Sequence, residues 1–346
     1  MSGVSLGPGD VMKVLVTGGT SMIGAGVATL LAARGDDVVV QQRSRSAAVE
    51  GLEIRQELGD IRDLDAVLVA AEACDAIVHL AAKVGVIGDW EEYRSINVDG
   101  TRNVITAARR LGIGRVVHVS SPSVAHGGEP IVGLSADAPV LGRRRAWYPE
   151  SKAMAEIDAL AAADEQLGVV AIRPHLVWGP GDTQLVGRIV ERAASGRLAL
   201  VGGGRALVDT TYIDNAVSAL VAALDALEPG GRCSGRAYVV SNGEPRMICE
   251  LVEGICHAAG VPFAPRTVSL GVGRSLGAVV ERVWPLLRRT DEPPLTQFLA
   301  EQLGTAHWFD QRPVRDDLDW VPTVSIDDGL ARLAQWYASD RKAPAP

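Results

Sequence analysis

"KVLVTGGTSMIG" occupies Lys13–Gly24. Its first half, Lys13–Gly18, is a short Val-rich apolar run, which predicts a strand buried on both faces. Its second half, "TGGTSMIG" (Thr17–Gly24), is built of glycine and small residues, and Ile23, Val27, Leu30 and Leu31 then recur at helical spacing. A strand, a tight glycine turn and a helix, in that order, make a seat for phosphate. The first amides of the helix point outward, and the positive end of its dipole favours an anion. Side chains would block the approach, so small residues are needed. Gly18 supplies the tight turn and Gly24 lets the helix pack on the strand. Ser21 stands where many such loops carry a middle glycine, and its hydroxyl is small enough to fit and to reach phosphate. A turn without a ligand is the alternative; the position directly after the first strand favours the ligand.

The same rhythm continues along the chain. Strands are predicted at Asp36–Gln42, Leu52–Asp60, Asp75–Ala82, Arg115–Ser121 and Val169–Pro174, and helices at Leu64–Ala73, Trp90–Leu111 and Ser151–Leu167. Apolar strands alternating with amphipathic helices give a doubly wound parallel α/β sheet, the Rossmann arrangement, with its crevice at the carboxyl ends of the strands. After Trp178 the pattern loosens. "GPGDTQ" and "VGGGRA" read as loops, helices return at Asp214–Leu227 and Met247–Ala259, and Ala237–Ser241 reads as a strand. The last hundred residues read as mostly helical.

Composition narrows the function classes. The chain has 346 residues, 47% apolar and 22% charged, with a net charge of −8. That is an ordinary globular composition. The short Arg143–Arg145 triplet is the largest basic cluster, so nucleic acid is not an expected partner. Cys74, Cys233, Cys249 and Cys256 lack metal spacing and read as reduced thiols, and the six histidines are dispersed, so no metal site is expected. The N-terminus carries no signal-peptide pattern and no stretch approaches a spanning helix, so a cytoplasmic protein is expected.

The second strand ends without the carboxylate that normally holds an adenosine ribose 2′-hydroxyl. The position eighteen residues beyond Gly24 is Gln42, followed by Arg43 and Arg45. Guanidinium groups suit a 2′-phosphate, which favours NADP(H) with NAD(H) as the alternative. "GDIRD" (Gly59–Asp63) offers Asp60 to the adenine amino group, and "HLAA" (His79–Ala82) supplies small residues beside ribose and pyrophosphate.

"RAWYPESKAMAE" (Arg145–Glu156) places Tyr148 and Lys152 one helical turn apart. Alone, that is equally two amphipathic residues on a wet helix. With Ser120 and Ser121 closing the fifth strand, Ser121, Tyr148 and Lys152 can converge at the crevice. Reduction of a carbonyl builds negative charge on oxygen, which needs a proton donor. Tyr148 can be that donor, with the Lys152 ammonium expected to lower its pKa from near ~10. Ser121 would hydrogen-bond the substrate oxygen. Pro149 fits a first helical turn.

These motifs together resemble the extended short-chain dehydrogenase/reductases, within the NAD-dependent epimerase/dehydratase superfamily. "NVDGTRNV" (Asn97–Val104), "VSSPSVAHG" (Val119–Gly127), "RPHLVWGPGD" (Arg173–Asp182) and "DTTYIDNAVSAL" (Asp209–Leu220) extend the likeness over nearly the whole chain. "SSPSV", "VDTTYIDNA" and Pro293–Asp310 resemble the 3β-hydroxysteroid dehydrogenase branch. "AAKVGVIGDWEEY" and "RPHLVWGPGDTQLVGRIVERA" most resemble its bacterial 2-alkyl-3-oxoalkanoate reductases.

The resemblance implies a nicotinamide-dependent oxidoreductase with Ser121, Tyr148 and Lys152 as catalytic residues. It assigns the cofactor to Gly18, Thr20, Ser21, Met22, Ile23, Gly24, Arg43, Asp60, Ile61, Leu80, Ala81, Ala82, Pro174 and Val177, together with Tyr148 and Lys152. It implies a dinucleotide domain over 11–180 with 206–242, a substrate lobe over 181–205 and 243–338, disordered tails at 1–10 and 340–346, a homodimer, and a lipid-like small-molecule substrate. Asn97 would be structural or part of a proton relay. His126 departs from the aromatic or aliphatic residue common in relatives, and His175, Trp178 and Trp90 should lie near the pocket.

Leu270–Leu287 carries an apolar stripe of Leu276, Val279, Val280, Val283 and Leu287. It reads as a lid, as a helix lying in a membrane surface, or as a helix packed on its own lobe. Two other functions use the same scaffold. A sugar-nucleotide epimerase or dehydratase would draw on Arg188, Arg192 and Arg197. A cofactor-binding redox sensor would not need the tyrosine–lysine pair.

Overall fold

The computed structural model describes residues 11–85, 88–126, 129–136, 146–284 and 296–340. The expected tails 1–10 and 341–346, the Arg143–Arg145 triplet and Leu287 lie outside the described residues. Asp340, placed in the tail by the sequence reading, is the last residue of a helix.

The central sheet has seven strands: β1 (Lys13–Thr17), β2 (Asp37–Gln42), β3 (Ile54–Leu58), β4 (Ala76–His79), β5 (Arg115–Val119), β6 (Gly168–Pro174) and β7 (Arg236–Val240). Their spatial order is β3-β2-β1-β4-β5-β6-β7, parallel throughout. The order reverses between β1 and β4, which opens a crevice over their carboxyl ends. Val-rich strands are what a sheet covered on both faces requires. Alternate residues serve the two faces. Val14, Val16, Val38 and Val40 enter one core with Val27 and Leu31 of helix α1 (Met22–Arg34). Leu15, Val39, Ile77 and Val116 enter the other, with Val67 of α2 (Leu64–Ala70) and Val104.

Helix ends differ from the sequence expectation for local reasons. The α2 helix stops at Ala70, and Ala73 then adopts a left-handed φ of 56°. The expected Trp90–Leu111 helix is divided into α3 (Trp90–Tyr93), a π-helical segment Arg94–Asp99 and α4 (Gly100–Leu111). The helix expected at Ser151–Leu167 is α5, Trp147–Leu160. It starts early because Pro149 is compatible with a first turn. It ends early because the Asp164 carboxylate accepts the Gln166 and Leu167 amides, at 2.8 and 2.9 Å, and turns the chain into β6.

In the second half, helices α6 (Val186–Ala194), α7 (Ile213–Ala226), α8 (Ile248–Ala259), α9 (Leu270–Val283), α10 (Gln297–Gly304), α11 (Arg312–Leu318) and α12 (Ile326–Asp340) accompany short strands. A four-stranded sheet joins segments 246–247, 207–208, 307–309 and 131–134, and two-stranded pairs join 177–178 with 211–212 and 199–201 with 266–268. No helix of the described residues is long and apolar enough to cross a membrane.

Candidate active site

The turn after β1 is shaped by close approach. Gly18 has φ +80°, and a Cβ there would lie 2.9 Å from the Ala81 amide nitrogen. A Cβ on Gly24 would lie 2.4 Å from the Gly18 carbonyl oxygen. Glycine is therefore required at both positions. The Ser21 hydroxyl donates to the Gly18 carbonyl at 2.8 Å and accepts the Gly24 amide at 3.0 Å. It caps α1, and its proton is used inside the loop rather than held out for phosphate. The Met22 and Ile23 amides, in the first turn of α1, have no intrahelical partner, and a helix start of this kind suits an anion.

Opposite this turn, β4 is fixed by a buried relay. Thr101 donates its hydroxyl proton to the Asn97 carbonyl at 2.6 Å, so its oxygen accepts from His79 Nε2–H at 3.0 Å. His79 Nδ1 then accepts from the Thr17 hydroxyl at 2.8 Å, and the Thr17 oxygen takes the Leu80 and Ala81 amides, both at 3.1 Å. Burial lowers the His79 pKa to about 3, so the ring is neutral and this tautomer is held.

Between these walls lies a cleft of about 350 Å³. Gly18, Thr20, Ser21, Arg43, Asp60, Ile61, Leu80, Ala81 and Ala82 all line it, so nine residues assigned to the cofactor from sequence are brought together. Gly24, Met22 and Ile23 sit behind the lining, the last two partly buried against the core. Pro174 and Val177 are partly buried near the end of β6, away from this lining. Gln42 is buried and donates to Gln56 Oε1 at 2.7 Å, which also accepts the Ser46 amide at 2.9 Å. That arrangement fixes the loop bearing Arg43 and Arg45. The Asp60 carboxyl is held low, chiefly by its hydrogen bond with Arg62 and more weakly by Arg43. The cradle and its amides suit the adenosine and pyrophosphate part of a dinucleotide, while Ser121, Tyr148 and Lys152 are not part of this lining.

Ser121, Tyr148 and Lys152 meet over the end of β5. Ser121 caps the short turn Pro122–Ala125 and shares a 2.9 Å hydrogen bond with the Ser123 hydroxyl. Tyr148 is partly buried in the first turn of α5 and is hydrogen-bonded to Ser121. Lys152 is buried, and its ammonium donates to the Val119 carbonyl at 2.6 Å. Burial lowers its pKa to about 8, with Glu156 acting in the opposite direction.

The expected depression of the Tyr148 phenol is corrected here. Burial raises it above its ordinary value, only partly countered by the Ser121 hydrogen bond, because the Lys152 charge is directed to the strand end.

Several residues escaped the sequence reading. Thr17 and His79 hold the turn, and Trp147 packs on Trp90 with ring centroids 5.5 Å apart. Asn97, which the sequence reading did single out as structural or part of a relay, comes from the π-helical segment and acts as a clamp: it bonds the Lys83 amide and carbonyl at 2.7 and 3.0 Å and the Ser151 hydroxyl at 2.9 Å. Ser151 in turn donates to the Tyr148 carbonyl at 3.0 Å. A π turn carries one residue more than an α turn and can re-aim such a side chain, but no sequence period announces it.

His126, His175 and His307 cluster, with ring centroids 4.8 Å apart for His126–His307 and 6.0 Å for His175–His307. The described residues hold no group of side chains suited to a metal. Trp178 is fully buried and donates to the Thr210 hydroxyl at 2.9 Å, so it is a core residue. Of the arginines a sugar diphosphate would need, Arg197 pairs with Glu191 at 3.1 Å and Arg188 bonds Gln184 at 3.2 Å.

A doubly wound sheet with a phosphate turn and a Ser–Tyr–Lys constellation defines a class of nicotinamide-dependent oxidoreductases. The profile of the NAD dependent epimerase/dehydratase family matches residues 14–241, and the chain belongs to that family. A 2-alkyl-3-oxoalkanoate reductase from Stenotrophomonas maltophilia is 48% identical over 93% of this chain and 98% of its own. A 3-beta-hydroxysteroid dehydrogenase from Mycolicibacterium neoaurum is 31% identical over 95% of this chain and 92% of its own. Among solved structures, a UDP-glucuronic acid 4-epimerase from Bacillus cereus in complex with NAD shares the fold, with a TM-score of 0.73, 20% identity, and coverage of 95% and 99% of the two chains. The chain is an oxidoreductase acting on a CH–OH/carbonyl couple.

Proposed function

We propose that this protein is an NADPH-dependent reductase that converts a 2-alkyl-3-oxoalkanoate to the corresponding β-hydroxy acid. The observation that carries the reading is the Ser121–Tyr148 hydrogen bond over the end of β5, with Lys152 buried one turn along α5. The substrate class is supported by the high identity to a reductase of that name across nearly the whole chain. NADPH is favoured over NADH because Gln42 replaces an acid and Arg43 lines the cleft beside Asp60.

The chain's own residues divide the work. Gly18, Thr20 and the first amides of α1 hold the pyrophosphate, and Asp60 and Ile61 hold the adenine end. The bound nicotinamide supplies the hydride. Tyr148 gives its proton to the ketone oxygen as charge develops there, and Ser121 holds that oxygen in line. With a cofactor held, Lys152 would serve its ribose hydroxyls, and an ammonium turned toward the phenol would lower the Tyr148 pKa from the raised value of the free protein. The segments 11–180 with 206–242 hold the cofactor in this reading, and 181–205 with 243–338 hold the alkyl chains.

A 3β-hydroxysteroid dehydrogenase is the second reading, favoured by the 31% relative. Parallel assays decide between them. NADPH oxidation with a racemic 2-alkyl-3-oxoalkanoate, outpacing NADH, is expected. Turnover of a 3β-hydroxysteroid with no reduction of the oxo acid would move the protein to the second reading.

A further inference from the structure

Two cations, Arg43 and Lys83, line the cleft, and only one has a task so far. Arg43 lies beside Asp60 at the adenosine end. Lys83 lines the cleft beyond Leu80–Ala82. Asn97 holds both backbone groups of Lys83 and the Ser151 hydroxyl, and Ser151 bonds the Tyr148 carbonyl, so Lys83 is locked to the turn that carries the phenol. Its ammonium lies 5.2 Å from the centroid of the buried Tyr93 ring and 2.9 Å from Glu92 Oε1. The Lys83 side chain is 20% exposed and that of Glu92 is 47% exposed. Gly88 keeps this place open, since a Cβ there would lie 2.6 Å from Lys83 Cε.

We propose that Lys83 binds the carboxylate of the substrate, exchanging Glu92 for it. The inference rests on the reading of the substrate as a β-keto acid, whose carboxylate is two bonds from the carbonyl carbon and must be held as the site excludes water. Two buried cations have other tasks: Lys152 is assigned to the Val119 carbonyl and the cofactor ribose, and Arg173 forms a buried ion pair with Glu156, its Nε 2.9 Å from Oε2. A half-exposed partner such as Glu92 is weakly held, so a carboxylate brought in by an apolar substrate can displace it. The Tyr93 ring face keeps the ammonium in place during the exchange.

The test compares two probes, a racemic 2-alkyl-3-oxoalkanoate and the dialkyl ketone that lacks its carboxylate, with NADPH binding measured separately by fluorescence. In Lys83→Met, the KM for the oxo acid should rise about 10- to 100-fold, the span of a lost hydrogen bond to a charged group. The KM for the ketone and the affinity for NADPH should stay within about twofold of the wild type. In Glu92→Gln, which keeps Lys83 and removes its resident partner, the KM for the oxo acid should fall and that for the ketone should not.

An equal loss on both probes, weaker NADPH binding (Lys83 would then serve the pyrophosphate), or no change in Lys83→Met overturns the proposal. So does a rise in oxo-acid KM in Glu92→Gln, which keeps the test decisive if Lys83→Met fails to fold. A wild-type protein that does not reduce the oxo acid refutes the substrate reading itself, a result distinct from any of these.

Discussion

In the proposed reading, Gln42 and Arg43 set the cofactor preference at two side chains. A carboxylate at 42 would repel a 2′-phosphate and bind a 2′-hydroxyl, and loss of the Arg43 guanidinium removes the matching cation. The double variant Gln42→Asp/Arg43→Ala should raise the KM for NADPH about tenfold or more and lower that for NADH, measured by initial rates with each cofactor. Lys152 gives a pH prediction. Its pKa is lowered to about 8, so the ammonium is present below that pH and lost above it. Because kcat/KM reports the free enzyme, it should fall as pH rises through about 8. That Ser121, Tyr148 and Lys152 could meet at the end of the fifth strand was legible, because a strand end and a one-turn helical spacing place them together. The direction of the Tyr148 shift was not, because it depends on where the Lys152 ammonium points. Thr17, His79 and Lys83 were not legible either, since their roles arise from contacts between elements far apart in the chain.

At the scale of elements, the strands were read well and the short second-half strands were not. Short apolar runs such as Val14–Val16, Val38–Val40 and Val169–Ile172 announce a strand of the central sheet, whereas two-residue pairings such as Val177–Trp178 with Thr211–Tyr212 leave no period. Helix α9 shows what periodicity misses. Of the stripe that could have been core, Leu276, Val279 and Val283 are between 43% and 59% exposed and Val280 is partly buried. The buried residues are Gly273 and Gly277, and a Cβ on Gly277 would lie 2.4 Å from backbone atoms of Thr296 and Gln297. The glycines bring α9 against α10. Gly277→Ala should therefore cost about 1–3 kcal/mol, seen as a lower thermal midpoint. Gly271→Ala, on the same helix with nothing within 4 Å, should be neutral or slightly stabilising. Equal midpoints for the two variants would contradict this packing.

Across the whole molecule, buried polar groups bind the two halves of the chain together and set its acid stability. Asn215 accepts the Thr323 and Val324 amides and donates to Asn242 and to the Val324 carbonyl, fixing the chain ahead of α12 to the first residues of α7. Burial lowers His79 and His307 to about 3 and His175 to about 4. Below an unfolded value of ~6.5 the unfolded chain binds these protons and the folded chain does not, so stability falls as pH drops from about 6.5 toward 4. Asp209, raised to about 6 by burial, has the opposite sign: its penalty is present above pH 6 and relieved as pH falls toward ~4. Burial also lowers His118, so four histidines outnumber one carboxyl and the urea midpoint should fall between pH 7 and pH 5; a flat midpoint would contradict the assignment. The doubly wound class was legible in the sequence because a single strand–turn–helix stretch repeats its logic along the chain. The substrate side was not, because it is assembled from short pieces distant in sequence. The account as a whole rests on Tyr148 as proton donor beside a bound NADPH. The direct measurement is NADPH oxidation with a 2-alkyl-3-oxoalkanoate by the wild type and by Tyr148→Phe, with NADPH affinity determined for both. The account predicts turnover by the wild type, a loss of about 10²-fold or more in kcat for Tyr148→Phe, and the same NADPH affinity in each. A Tyr148→Phe protein that binds NADPH and keeps the wild-type rate would contradict it.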